Sequence, residues 1–342
     1  MSRQSAKRAK ISTPPPASTN VHPTAKPNTA SSTPTAIPSI YLNTVGRIDR
    51  RKIFHANEFP VSATLLRVVL IVLGFLIVIS LWGFYASIRP PKIIFSRTPR
   101  DLKMNCEDVS FRTADGLTLR GRHIPSAKTT DKTLILLHGY PADKGNILPA
   151  LAFLQGDFNL LLFDFRYLGQ SEGSYSTAGA KEVEDLLAAV QFLKTRGVKE
   201  VGVWGFSMGG AVALMAIEKA PEIKAVIAES SYASLAHMAL ELFRIPLLNY
   251  PVAYLVGLWA KLFLGIDLRD VSPAERVRHT LAPILLIHSS ADAVIPFSHA
   301  RLLQEALKPN PRAEFWFHEG YAHGQLAADY QSRVRNFFHK NL

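Results

Sequence analysis

Six short apolar runs set the architecture of this chain: TLILLHG (133–139), FNLLLFD (158–164), VGVWGFS (201–207), IKAVIAES (223–230), PILLIHSS (283–290) and AEFWFHEG (313–320). Each has the length of a strand, and most are apolar at odd and even positions alike, so both faces need a cover. Amphipathic segments such as AKEVEDLLAAVQFLKTR (180–196) lie between them. Strands alternating with helices predict a mostly parallel sheet with helices on both sides. Ahead of the first run, EDVSFRT and LTLRGRHI flank ADG, a hairpin pattern. No internal repeat is present.

A different constraint sits upstream. Residues 68–86, VVLIVLGFLIVISLWGFYA, carry no charge. Nineteen residues of helix span about 28 Å at 1.5 Å per residue, close to the roughly 30 Å of a bilayer core. Trp82 and Tyr85 lie near the end, where interfacial aromatics belong. A signal peptide would have a shorter apolar core and would not follow 67 residues, and a buried soluble helix rarely lacks charge over this length. The expectation is a transmembrane helix over 61–88, a single-pass membrane protein and contact with membrane lipid.

The net charge of +12 suggests nucleic acid until it is divided. Residues 1–67 carry +8 and residues 89–103 carry +4, whereas 104–342 hold 24 basic and 24 acidic residues. The excess flanks the apolar stretch, so a nucleic-acid partner loses its support. Nearby basic residues are almost balanced across the stretch. Counting the whole tail favours a cytoplasmic N-terminus and the C-terminal domain on the other side. Residues 11–40 contain seven prolines and eleven Ser/Thr. Such a composition buries too little to fold, so 1–60 is expected to be a disordered tail, with 47–52 available to anionic headgroups. The single cysteine, Cys106, excludes an intrachain disulfide. Residues 89–106 read as a juxtamembrane linker.

The chemistry centres on Ser207. Gly205-Phe206-Ser207-Met208-Gly209 fits G-x-S-x-G where a predicted strand meets a predicted helix. A nucleophile on so sharp a turn needs unusual backbone angles, and side chains two positions away would collide. The turn would also aim helix N-terminal amides at a reacting carbonyl. Read without its context, the serine would be an N-cap of a glycine-rich helix. A serine needs a base, and His323 lies in the loop after the last predicted strand, between Gly320 and Gly324. Asp292, in the loop after the preceding strand, is the candidate orienting carboxylate; Glu229, after the strand that follows Ser207, is the alternative. His138 reads as structural, with the backbone N–H groups of Tyr140 and Met208 as candidate oxyanion donors. His288 and His318 fall inside strand patterns, and Asp164 precedes the serine. Residues 233–265 break the strand–helix rhythm. Within them, 245–260 is uncharged but holds Pro246 and Pro251, which suits an apolar cap better than a second membrane span.

Taken together, these positions resemble the α/β-hydrolase superfamily, in particular its serine-aminopeptidase-like and prolyl-oligopeptidase-like branch with N-terminal membrane anchors. The resemblance rests on His138-Gly139, Asp164-x-Arg166, Gly169-x-Ser171-x-Gly173, the Ser207 motif, Asp292-x-x-Ile295-Pro296 and Gly320-x-x-His323. Ser289 departs from it, since glycine is usual there. The resemblance implies an α/β-hydrolase fold over 107–342, with an eight-stranded, mostly parallel sheet and a helical cap at 233–272. It also implies a Ser207–His323–Asp292 relay and no cofactor, and no metal-ligand spacing is present. The resulting expectation is a serine hydrolase acting on an ester or thioester with an acyl or lipid-like group. A serine peptidase is the rival activity, and an idle hydrolase-fold scaffold the rival class.

Overall fold

The computed structural model describes residues 61–95, 97–242 and 248–342. The tail expected over 1–60, with its headgroup contact at 47–52, lies outside the described residues. The chain begins with α1 (Val61–Ile88) and a hairpin of β1 (Glu107–Arg112) and β2 (Thr118–Ile124). There follow β3 (Thr133–Leu137), α2 (Lys144–Leu151), β4 (Asn159–Phe163), α3 (Glu182–Thr195), β5 (Val201–Phe206), α4 (Met208–Ala216) and β6 (Ile223–Glu229). Helices α5 (Leu235–Leu242), α6 (Asn249–Leu264) and α7 (Pro273–Arg276) precede β7 (Ile284–Ser289), α8 (Phe297–Leu307), β8 (Ala313–His318) and α9 (Tyr330–Asn341).

All eight strands expected from the apolar runs and the hairpin form one sheet, in the order β1-β2-β4-β3-β5-β6-β7-β8. The β1–β2 and β2–β4 pairs are antiparallel and the rest parallel. The two-residue side-chain period divides each strand between two cores. Leu134, Leu136, Leu160 and Leu162 pack with α2 and α9 on one face. Ile135, Leu137, Leu161 and Val203 pack with α3, α4 and α8 on the other. Each fully buried Leu or Ile contributes about 1.5–3 kcal/mol relative to exposure, which is why strands without a polar face are stable only in such a sandwich.

Helix α1 is long and apolar enough to cross a membrane, with a mean hydropathy of 2.8 in its most apolar window. Only Ser80, Gly83 and Phe84 of it are buried. They meet α6, where Phe84 joins Val252, Val256 and Ala260 in a small apolar cluster. Helix α6 is sixteen residues long, and among the described residues α1 alone has the length and hydropathy of a span.

The loops after β4 are held by buried charge. Lys144 Nζ meets Asp164 Oδ2 at 2.6 Å, and Asp164 also accepts from the Lys144 and Gln170 amides. Arg166 donates through Nε and Nη2 to Asp185 Oδ1 at 2.9 and 2.7 Å, and through Nη1 to Asp115 at 2.8 Å. The Asp164-x-Arg166 motif thus locks the β4 loop to α2 and α3. An Arg166→Met substitution leaves the Asp185 carboxylate buried without its cation, and a loss of about 3–5 kcal/mol is expected, measured as a lower unfolding midpoint of the purified protein.

Candidate active site

Ser207 joins β5 to α4 with φ 54° and ψ −114°, a conformation that a serine adopts only under constraint from its surroundings. The glycines around it make the bend possible. A Cβ on Gly205 would lie 2.3 Å from the Gly209 carbonyl oxygen, and one on Gly209 would lie 2.6 Å from that of Leu137. Helix α4 therefore starts with its backbone laid directly on the ends of β5 and β3. The Ser207 amide donates to Glu229 O at 2.8 Å, tying the bend to β6. Gly139 presses on the same point, since a Cβ there would be 3.2 Å from that of Ser207.

Asp292 and His323 come together although 31 residues separate them: His323 Nδ1 lies 2.7 Å from Asp292 Oδ2. Asp292 Oδ1 accepts from the Val294 and Ile295 amides, both at 2.9 Å. Burial pushes this carboxyl up, but the hydrogen bonds from His323 and the Ile295 and Val294 amides outweigh it and hold it below its ordinary value. As a carboxylate it only accepts, so Nδ1 carries a proton, and in the neutral imidazole that tautomer leaves the lone pair on Nε2. The imidazole packs against Phe206, next to the serine, with ring centroids 4.6 Å apart. Gly324 (φ 75°) meets the same ring. Ser207 Oγ and His323 share no hydrogen bond. The unexpected serine, Ser289, fits without strain: its Oγ accepts from the Ala291 and Tyr321 amides, both at 3.2 Å, and so stitches the Asp292 loop to the His323 loop.

The side chains of the remaining polar candidates share no hydrogen bond with Ser207 or His323, although His288 Nε2 lies 3.8 Å from Asp292 Oδ2. Glu229 accepts from Tyr330 Oη at 2.5 Å, which in turn accepts from Trp204 Nε1 at 3.0 Å. Burial without a cation pushes Glu229 up to about 7, and Tyr330, not His323, is its partner. His138 donates from Nδ1 to Gly139 O at 2.8 Å and accepts from the Phe165 amide at 3.1 Å, joining two strand ends. His288 is buried, with Nε2 donating to Ile295 O at 2.9 Å, and desolvation lowers its pKa. His318 packs against Trp316 and Tyr321.

A cavity of about 230 Å³ reaches the serine, and Tyr140, Ser207 and Met208 line it. Met208 is the first residue of α4, so its N–H has no intrahelical acceptor. The other walls come from Tyr232, from the α5 and α6 side chains Met238, Val256 and Ala260, and from Phe84, Ser87 and Ile88 of α1. Sequence reasoning missed the α1 residues, because in sequence they belong to an apolar run more than a hundred positions from Ser207 and nothing local marks them.

The glycine packing is testable apart from any activity. Gly205→Ala forces a clash with backbone and is expected to cost about 1–3 kcal/mol. Gly156→Ala, which meets nothing within 4 Å, should leave the unfolding midpoint unchanged or slightly raised.

Comparison with known proteins agrees with this fold. The α/β-hydrolase fold family matches residues 132–263. The YfhR protein of Escherichia coli (strain K12) is 32% identical over 219 residues, covering 61% of this chain and 70% of that protein. Lysophosphatidylserine lipase ABHD12 of Danio rerio is 27% identical over 257 residues, 65% of this chain and 64% of that protein. Among solved structures, the Pyrococcus furiosus esterase Pf2001 aligns with a TM-score of 0.63 and 30% identity, over 74% of this chain and 98% of that one. With YfhR matched over more than two thirds of its length, and the fold shared along nearly all of a solved esterase, this chain belongs to the α/β-hydrolase superfamily.

Proposed function

We propose that this hydrolase cleaves an acyl ester or thioester through an acyl-serine formed on Ser207. The observation that carries the reading is the strained serine set at an apolar cavity, with the Asp292–His323 pair packed against its neighbour Phe206. Ser207 Oγ attacks the carbonyl carbon, and His323 Nε2 takes its proton. The oxyanion is received by the Tyr140 and Met208 amides, while Asp292 holds the imidazolium. As the tetrahedral intermediate collapses, the leaving oxygen or sulfur takes the proton from His323. Water then attacks the acyl-serine, losing its proton to the same nitrogen, and the acid leaves with Ser207 restored.

The cavity favours an acyl group over a peptide. Among the described residues that line it, none is charged, so nothing there would pair with a peptide amino terminus. An esterase and a lysophospholipid lipase among the similar proteins support the same direction. We also read α1 as a single-pass anchor, with the hydrolase domain on the non-cytoplasmic side because the basic tail precedes it.

Fluorophosphonate labelling tests the nucleophile. The wild type is expected to label and Ser207→Ala not to; labelling that survives the substitution removes the assignment. With acyl p-nitrophenyl esters, Asp292→Asn should lower kcat by about 10³–10⁴-fold, because the imidazole loses its fixed tautomer. Faster cleavage of aminoacyl anilides than of the esters would instead indicate a peptidase. For the orientation, protease added to sealed vesicles should reach the hydrolase domain only if it faces outward.

A further inference from the structure

Three observations concern the cavity wall furthest from ordinary hydrolase chemistry. First, the last turn of α1 closes it: Phe84, Ser87 and Ile88 line the same space as Ser207 and Met208. Second, α1 is fastened to the hydrolase domain over residues 80–88. Tyr140 Oη donates to Ser87 O at 2.8 Å, the Ser176 amide to Ile88 O at 2.9 Å, and Trp259 Nε1 to Ser80 Oγ at 3.0 Å. Phe84 also stacks on Phe263 of α6, with centroids 5.9 Å apart. Third, three of the polar side chains around the cavity are committed elsewhere. Tyr140 Oη serves Ser87, Tyr232 Oη donates to Ala178 O at 2.7 Å, and Thr177 Oγ1 donates to Glu182 at 2.6 Å. A polar ligand would lose its water there and find few partners, so the space selects hydrocarbon.

The seam between α1 and α6 continues this space. Phe84, Val256 and Ala260 belong both to the α1–α6 cluster and to the cavity wall. On its outer side α6 exposes Tyr250, Tyr254, Leu258 and Leu262, one stripe at four-residue spacing, with Phe263 beside it. This apolar stripe sits next to a helix whose own outward side chains are apolar and exposed along its length. Such a combined surface fits the hydrocarbon and interface of a bilayer.

We propose that α1 is part of the substrate site as well as an anchor, and that the substrate is a single-chain amphiphile resident in the bilayer, an ester of one long acyl group on a polar head. The chain enters along the α1–α6 seam and lies against Phe84, Ser87 and Ile88 with its carbonyl at Ser207. At about 230 Å³ the cavity is smaller than the roughly 300–1,000 Å³ of drug-sized ligand sites, so it takes the carbonyl end of one acyl chain while the rest of that chain lies along the seam. This inference rests on the serine-hydrolase reading above.

The full chain in phosphatidylcholine vesicles tests it, with p-nitrophenyl acetate and p-nitrophenyl palmitate as probes and fluorophosphonate labelling run in parallel. Ser87→Trp puts an indole into the cavity from α1 and is expected to lower the palmitate-to-acetate ratio of kcat/KM by about tenfold or more. Val78→Trp, on the exposed side of α1, should leave that ratio alone. An unchanged ratio in a Ser87→Trp protein that labels normally overturns the proposal. A second measurement needs no variant: a photoreactive palmitoyl ester in the vesicles is expected to give adducts on the peptide containing Phe84, Ser87 and Ile88. Adducts confined to other segments also overturn it. Failure of the wild type to label at Ser207 is a separate result, and it removes the hydrolase reading together with this one.

Discussion

Backbone packed on backbone at the β5–α4 bend is the constraint from which the rest of the site follows. Gly205 and Gly209 face one another at a distance that no side chain tolerates, and Gly209 also meets the ends of β3. This contact holds Ser207 at positive φ and sets the start of α4 beside the Gly139 loop. It therefore brings the proposed nucleophile, Tyr140 and Met208 to the wall of one cavity. Two further loops supply the acid and the imidazole, and Ser289 joins them through backbone amides. The histidine loop reaches the serine bend through the ring of Phe206.

Charge in this protein is divided by burial into two kinds. The Lys144–Asp164 and Arg166–Asp185 pairs are almost wholly buried and mutually satisfied, so they hold loops in place and leave no group free for reaction. Asp292 is as deeply placed, yet it shares its carboxylate between two amides and one imidazole that keeps an open nitrogen. That open valence distinguishes a site carboxylate from a structural one. Glu229 illustrates the contrast: its neighbours are hydroxyl and indole, so burial raises its pKa and it pairs with Tyr330 within the core.

The apolar half of the protein is organised as consistently as the polar half. Helix α1 buries only one short stretch, and that stretch meets α6 at the edge of the cavity. Hydrogen bonds from Tyr140 and Ser176 accept no slack between the helix end and the domain. A helix tied in this way makes its last turn part of the cavity wall.

The sequence by itself determined the strands, the bend and the chain order of Ser207, Asp292 and His323, because each is written in local terms. Apolar period shows a buried strand, paired glycines show a crowded turn, and a proline after Asp292 shows a loop about to enter a helix. Only the tertiary structure decided that His323 pairs with Asp292 and that Glu229 turns to Tyr330, since Glu229 ends β6 and Asp292 follows β7, two successive strands on the same side of β5, and the two acids differ in the side chains that distant segments bring to them. It alone also made the end of α1 a wall of the cavity. That contact joins residues 53 positions apart in the Tyr140–Ser87 hydrogen bond and 179 apart in the Trp259–Ser80 bond. No local periodicity encodes such separations, because they arise when the whole sheet and its cap close around one space.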